Sequence, residues 1–134
     1  SYSAKYASNF YGPFRDAIGS SKNLKFDKKT YQMDFRNSDE AFREIGLDIK
    51  EGADIVMVKP AIYYLDIVNI LKEKCLIPIA AYQVSGEYSM IKIASEKNLI
   101  NLKEAVLESL IGIKRSGADI IFSYFAEEVS EWLK

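Results

Sequence analysis

From position 38 the chain reads Ser-Asp-Glu-Ala-Phe-Arg-Glu-Ile-Gly-Leu-Asp-Ile-Lys-Glu-Gly, with a capping residue and acids first and glycine last, which predicts a helix over 38–52. The next six residues, Ala53-Asp54-Ile55-Val56-Met57-Val58, are mostly apolar and partly β-branched, the pattern of a strand buried on both faces of a parallel sheet. Lys59-Pro60 closes that run. Residues 64–74 place Leu65, Val68, Leu71 and Lys72 around an amphipathic helix, and 77–82 supply a further strand with Pro78 at its start, where proline is tolerated. The longest helical pattern, 101–115, runs into Gly117 and a third clear strand over 118–124.

The unit of a helix, then Gly-Ala-Asp-Ile, then a strand occurs at Gly52 and again at Gly117, with another strand between them. Such β/α alternation implies a parallel sheet with helical crossovers, either an open doubly wound sheet or part of a closed (β/α)8 barrel. The opening Ser1-Tyr2-Ser3-Ala4-Lys5 has no methionine and reads as the end of a strand whose beginning is missing. Four strand ends are about half of a barrel that typically needs ~250 residues, so the chain is expected to be a fragment, with residues 1–134 forming a single barrel portion. Between Lys5 and Ser38 neither period is clean. A long excursion after a strand's C-terminal end suits a lid over a site, and it suits a plain surface loop equally.

Composition narrows the chemistry. A net charge of −1 with basic residues scattered among acidic ones gives no footprint for nucleic acid. No apolar run approaches the ~20 residues that span a bilayer, and the one cysteine, Cys75, cannot staple the chain, so a cytoplasmic setting is expected. The chain has no histidine, which leaves Lys, Tyr, Asp, Glu and Ser for any chemistry.

Lys59 follows an apolar run and would sit at the C-terminal end of a buried strand, where barrel enzymes gather their reactive groups. A desolvated lysine has a depressed pKa and can attack a ketone to form an imine, whereas an exposed one stays protonated. The bland alternative is a lysine that snorkels to solvent or pairs with a carboxylate. Lys5 also closes a strand, and two ammonium groups in one barrel mouth would lower each other's pKa, which suits double imine chemistry.

Here a family resemblance enters. Ser1-Tyr2-Ser3-Ala4-Lys5-Tyr6-Ala7-Ser8 and Phe10-Tyr11-Gly12-Pro13-Phe14-Arg15-Asp16-Ala17 resemble the first lysine segment and lid of the porphobilinogen synthase (5-aminolevulinate dehydratase) family. Met57-Val58-Lys59-Pro60-Ala61, followed by Tyr64-Leu65-Asp66-Ile67, resembles its second lysine segment. Ala81-Tyr82-Gln83-Val84-Ser85-Gly86-Glu87-Tyr88 and the stretch from Gly117-Ala118-Asp119 to Tyr124 resemble two more, so the likeness covers essentially the whole chain in order.

The resemblance implies the C-terminal half of a (β/α)8 TIM barrel, with a lid region at about 9–36, in an enzyme that condenses two 5-aminolevulinate molecules to porphobilinogen in tetrapyrrole and heme biosynthesis. It implies that Lys59 holds the first substrate as an imine and Lys5 the second. By the same likeness Ser85 and Tyr124 hydrogen-bond the first carboxylate, Tyr82, Tyr11 and Phe14 wall that pocket, and Arg15, Lys28 and Gln32 bind the second carboxylate. Lys28 stands where the commonest family pattern has arginine, so the bidentate fork is lost there. Glu44 lies where many bacterial and plant members hold a regulatory magnesium. The family also implies a homo-oligomer, an octamer, while the segment that decides zinc dependence lies among its earlier strands. Two other readings remain: a catalytically silent half-barrel serving oligomerisation, and another lysine Schiff-base enzyme of aldolase type.

Overall fold

A computed structural model of the chain describes residues 1–19 and 30–134. Lys28 lies outside the described residues. Four strands alternate with helices as the sequence predicts: β1 (Ala4–Lys5), β2 (Val56–Lys59), β3 (Ile79–Gln83) and β4 (Ile120–Ser123). All neighbours are parallel and the spatial order is β1-β2-β3-β4, the sequential arrangement of consecutive strands in a (β/α)8 barrel, of which this chain forms a part.

The helices of the long periodic segments fall where expected. After a 3-10 turn (Asn9–Tyr11) and α1 (Gly12–Ala17), α2 (Asp39–Lys50) leads into β2, and a second 3-10 turn (Ile62–Tyr64) leads into α3 (Leu65–Lys74). Next come α4 (Ser85–Glu96), α5 (Leu102–Arg115) and α6 (Ala126–Trp132). Asn101 caps α5 by accepting the Glu104 N–H at 3.1 Å. Both repeat glycines end their helices in the left-handed region, at φ 96° for Gly52 and 120° for Gly117. At Gly117 a side chain is excluded twice over, since a Cβ there would lie 2.6 Å from Lys72 Cβ.

Pairing divides the sheet into two faces. Ala4, Val58 and Ala81 share one register row and are fully buried against Ala41 and Ile45 of α2, Ile67, Val68 and Leu71 of α3, and Ile113 of α5. That helix-side layer is the core. The next row runs Lys5, Lys59, Tyr82, Phe122 and faces the other way, because successive strand residues alternate faces.

One expectation needs correction, and two features go beyond what the sequence pattern predicts. β2 begins at Val56, not Ala53, because the chain spends 53–55 crossing from helix to sheet: the Ala53 N–H still donates to Asp48 O, and Ile55 is exposed. β4 is an edge strand among the described residues, with Ile120 36% and Phe122 46% exposed, so only β2 and β3 carry the buried pattern. The span 85–96, to which the sequence pattern assigns no element, is a twelve-residue helix.

Candidate active site

The parallel ladder places Lys5 directly opposite Lys59 at the C-terminal ends of β1 and β2. Continuing the row brings Tyr82 beside Lys59, and the Lys59 Nζ lies 3.9 Å from the centre of the Tyr82 ring. Tyr2 and Tyr11 add rings at 5.3 and 5.7 Å from the same nitrogen, and Tyr2 also lies 5.9 Å from Lys5 Nζ. Burial, and then the Lys5 charge, lower the Lys59 pKa from 10.5 to about 8. Ring faces favour the ammonium by only ~0.5–1 kcal/mol each at exposed sites, under one pH unit apiece, so desolvation prevails.

The backbone of Lys59 is held as firmly as its amine is crowded. Its carbonyl accepts from the Tyr6 N–H and from the Tyr11 hydroxyl, both at 3.0 Å. Tyr11 thus both walls the site and anchors the strand end, and burial pushes its hydroxyl pKa up.

The base of the lid packs on the start of α4. The Phe14 N–H donates to Ser85 Oγ at 3.1 Å, and Ser85 Oγ donates to Phe10 O at 3.5 Å. Gly86 permits this approach: a Cβ there would stand 2.5 Å from Phe10 O. Arg15 Nη2 donates to Gln32 Oε1 at 3.3 Å, and its guanidinium lies 5.2 Å from the Tyr11 ring centre, so Arg15 and Gln32 meet at the lid side of the site. Tyr124 tilts toward Tyr82 with centroids 6.3 Å apart, and Phe14 presents its ring to solvent. Lys5, Lys59, Tyr11 and Tyr82 therefore converge on the amines, with Tyr124 beside Tyr82 and Ser85, Phe14, Arg15 and Gln32 along the lid.

Glu44 lies on α2, 3.2 Å from the Arg43 guanidinium, and lines a cleft with Glu40 and Asp48 that Lys5 and Tyr2 also line, so it borders the amines from the α2 side. Among the described residues no group of three or more His, Cys, Asp or Glu side chains converges to hold a metal ion, and magnesium, which keeps several waters and takes one or two carboxylates, does not require such a group. Cys75 is unpaired at the end of α3, where burial raises its thiol pKa. Among the described residues no helix is long and apolar enough to cross a membrane.

Two residues gain importance that pattern reading did not single out. Tyr2 reaches both lysines, although nothing in a strand stub signals it. Glu87 is fully buried, and its carboxylate accepts N–H bonds from Val84 (2.7 Å), Ile62 (2.6 Å) and Ala61 (3.4 Å). An acid in the first turn of a helix was the available signal, missed because no helix was assigned to that span.

The comparisons with known proteins agree with this geometry. The family model described as delta-aminolevulinic acid dehydratase matches residues 1–132. The chain is 57% identical over 133 residues to the delta-aminolevulinic acid dehydratase of Bradyrhizobium diazoefficiens, covering 99% of the chain and 38% of the relative. It is 58% identical over 135 residues to that of Archaeoglobus fulgidus, covering 100% of the chain and 41% of the relative. A crystal structure of delta-aminolevulinic acid dehydratase (porphobilinogen synthase) from Toxoplasma gondii, in complex with the reaction product porphobilinogen, superposes with a TM-score of 0.94 at 53% identity over 98% of the chain and 37% of that protein. The chain thus spans about 40% of the length of these relatives. With this match over nearly its whole length, the chain belongs to the delta-aminolevulinic acid dehydratase family.

Proposed function

We propose that the polypeptide carrying this chain condenses two molecules of 5-aminolevulinate into porphobilinogen with loss of water, and that this chain supplies both imine-forming amines. The observation that carries the reading is the Lys5–Lys59 register pair, with Lys59 buried among aromatic rings and its pKa depressed to about 8. At pH 7 such an amine is neutral about one time in ten, against fewer than one in a thousand for an ordinary lysine. Its lone pair attacks the substrate ketone, the C–N bond forms, and the carbonyl oxygen departs as water.

In this reading Lys59 holds the substrate that supplies the propionate half and Lys5 holds the second. Ser85 and Tyr124 are hydroxyl donors for the first carboxylate, while Tyr82, Tyr11 and Phe14 keep water from the imine. Arg15, Lys28 and Gln32 take the second carboxylate, a role that the Arg15–Gln32 contact supports for two of the three. The reading extends to a cytoplasmic homo-oligomer, supported by the single cysteine for the compartment and by the family resemblance for the assembly. No step is routed through a metal on these residues.

The test is pyrrole formation. The full polypeptide given 5-aminolevulinate is expected to accumulate porphobilinogen, and the isolated 134-residue chain, its mass confirmed, to trap at most an imine at Lys5 or Lys59. Absence of both pyrrole and adduct in the full polypeptide would favour the silent half-barrel. Adducts with other carbonyl substrates alone would favour an aldolase-type enzyme.

A further inference from the structure

The geometry points to Glu87 as a positioning residue for Lys59, acting through the turn that follows Pro60. The inference rests on the reading of Lys59 as the imine-forming amine. Glu87 is 0% exposed, and among the described residues no lysine or arginine forms an ion pair with it. Burying a carboxylate is costly unless donors surround it. Here the donors are all backbone: Val84 in its own helical turn, and Ala61, Ile62 and Tyr63 from across the site. Burial raises the carboxyl pKa, and these N–H groups act against that rise by favouring the charged form.

Capping α4 requires only the bond to Val84. The remaining bonds reach residues 25 and 26 positions away, the first residues after Lys59-Pro60. On the other side the Lys59 carbonyl is pinned by Tyr6 and Tyr11. The strand end that presents the amine is therefore clamped from both directions, by β1 and the lid before Pro60 and by Glu87 after it. The same helix turn holds the lid, because Phe10 rests over Gly86 and stacks on Tyr63 with centroids 4.6 Å apart. Glu87 thus fixes the lid base and the amine in one frame, and small displacements of a reacting group are costly in rate.

Two variants of the full polypeptide separate tethering from capping. Glu87→Asp keeps an acid in the first turn of α4, within reach of Val84, but is one methylene too short for Ala61 and Ile62. Glu87→Gln has the right length but faces those N–H groups with a neutral amide. The measurement is the rate of borohydride trapping of 5-aminolevulinate on Lys59, per folded molecule, across pH. Both variants are expected to trap about tenfold more slowly at neutral pH, with the midpoint of the Lys59 profile moved upward as the loosened turn admits water. If Glu87→Gln does not fold, Glu87→Asp alone carries the test. A Glu87→Asp rate and midpoint equal to the parent's would overturn the positioning role and leave a helix cap. Failure of the parent itself to label at Lys59 would instead sink the imine reading on which the inference rests.

Discussion

Lys5 and Lys59 face each other across one ladder, carry the same side chain and end neighbouring strands, yet the fold treats them differently. Lys59 ends an inner strand, has three tyrosine rings around its nitrogen, and has its carbonyl held by Tyr6 and Tyr11. Lys5 ends a two-residue strand that is outermost among the described strands of this chain, with the Tyr2 ring near it. At Lys59 the ammonium is disfavoured by what its neighbours exclude and by the charge they bring, so the neutral amine is more accessible than in an ordinary lysine. Lys5 is itself part of that environment, since its charge is the second cause of the lowered Lys59 pKa.

Removing the Lys59 amine is expected to have the largest effect. Lys59→Met should lower pyrrole formation by about a thousandfold or more in the full polypeptide, because the covalent step loses its nucleophile. A steady-state assay with folding checked by circular dichroism measures it; activity within tenfold of the parent would transfer the essential role elsewhere. Lys5→Met should likewise block pyrrole formation, but its sharper readout is at Lys59. With the Lys5 charge gone, the Lys59 midpoint should move above about 8, and trapping there at neutral pH should fall several-fold. An unmoved midpoint would mean that the two amines do not sense each other.

The lid provides a smaller effect. Gly86→Ala would drive a methyl into Phe10 O, and either the lid base or α4 must shift, at an expected cost of about 1–3 kcal/mol in unfolding free energy. Chemical denaturation reads this directly, and a cost near zero would show that the lid base is not seated there. The smallest effect is expected at Lys28→Arg, which restores a bidentate fork on the side of the second carboxylate. It should preserve or tighten KM by no more than a few-fold at fixed salt.

Much of this site was legible because its signals are local. The apolar run ended by Lys59 and the strand stub ended by Lys5 placed the amines, and the glycines Gly52 and Gly117 marked two of the β/α units around them. The ladder then fulfilled what parallel strands require, bringing the two strand ends to one register. What escaped reading depends on contacts between distant segments. Val84 precedes a Ser-Gly pair that looks like a turn, yet Glu87 satisfies its N–H and the lid covers Gly86, so the segment propagates as α4. Tyr2 and Glu87 gain their importance only when β1, the 61–63 turn and α4 meet.

The most direct test of the account compares the two amines in a single experiment: borohydride trapping of 5-aminolevulinate on the full polypeptide, followed by peptide mapping, repeated from about pH 6 to about pH 10. The account predicts that Lys59 is the dominant adduct and that its rate climbs about tenfold per pH unit before levelling off above about 8, as the ammonium of a partly desolvated lysine is lost. Adducts at other lysines with none at Lys59, or a Lys59 rate still rising steeply beyond pH 9 like that of an ordinary surface lysine, would contradict it.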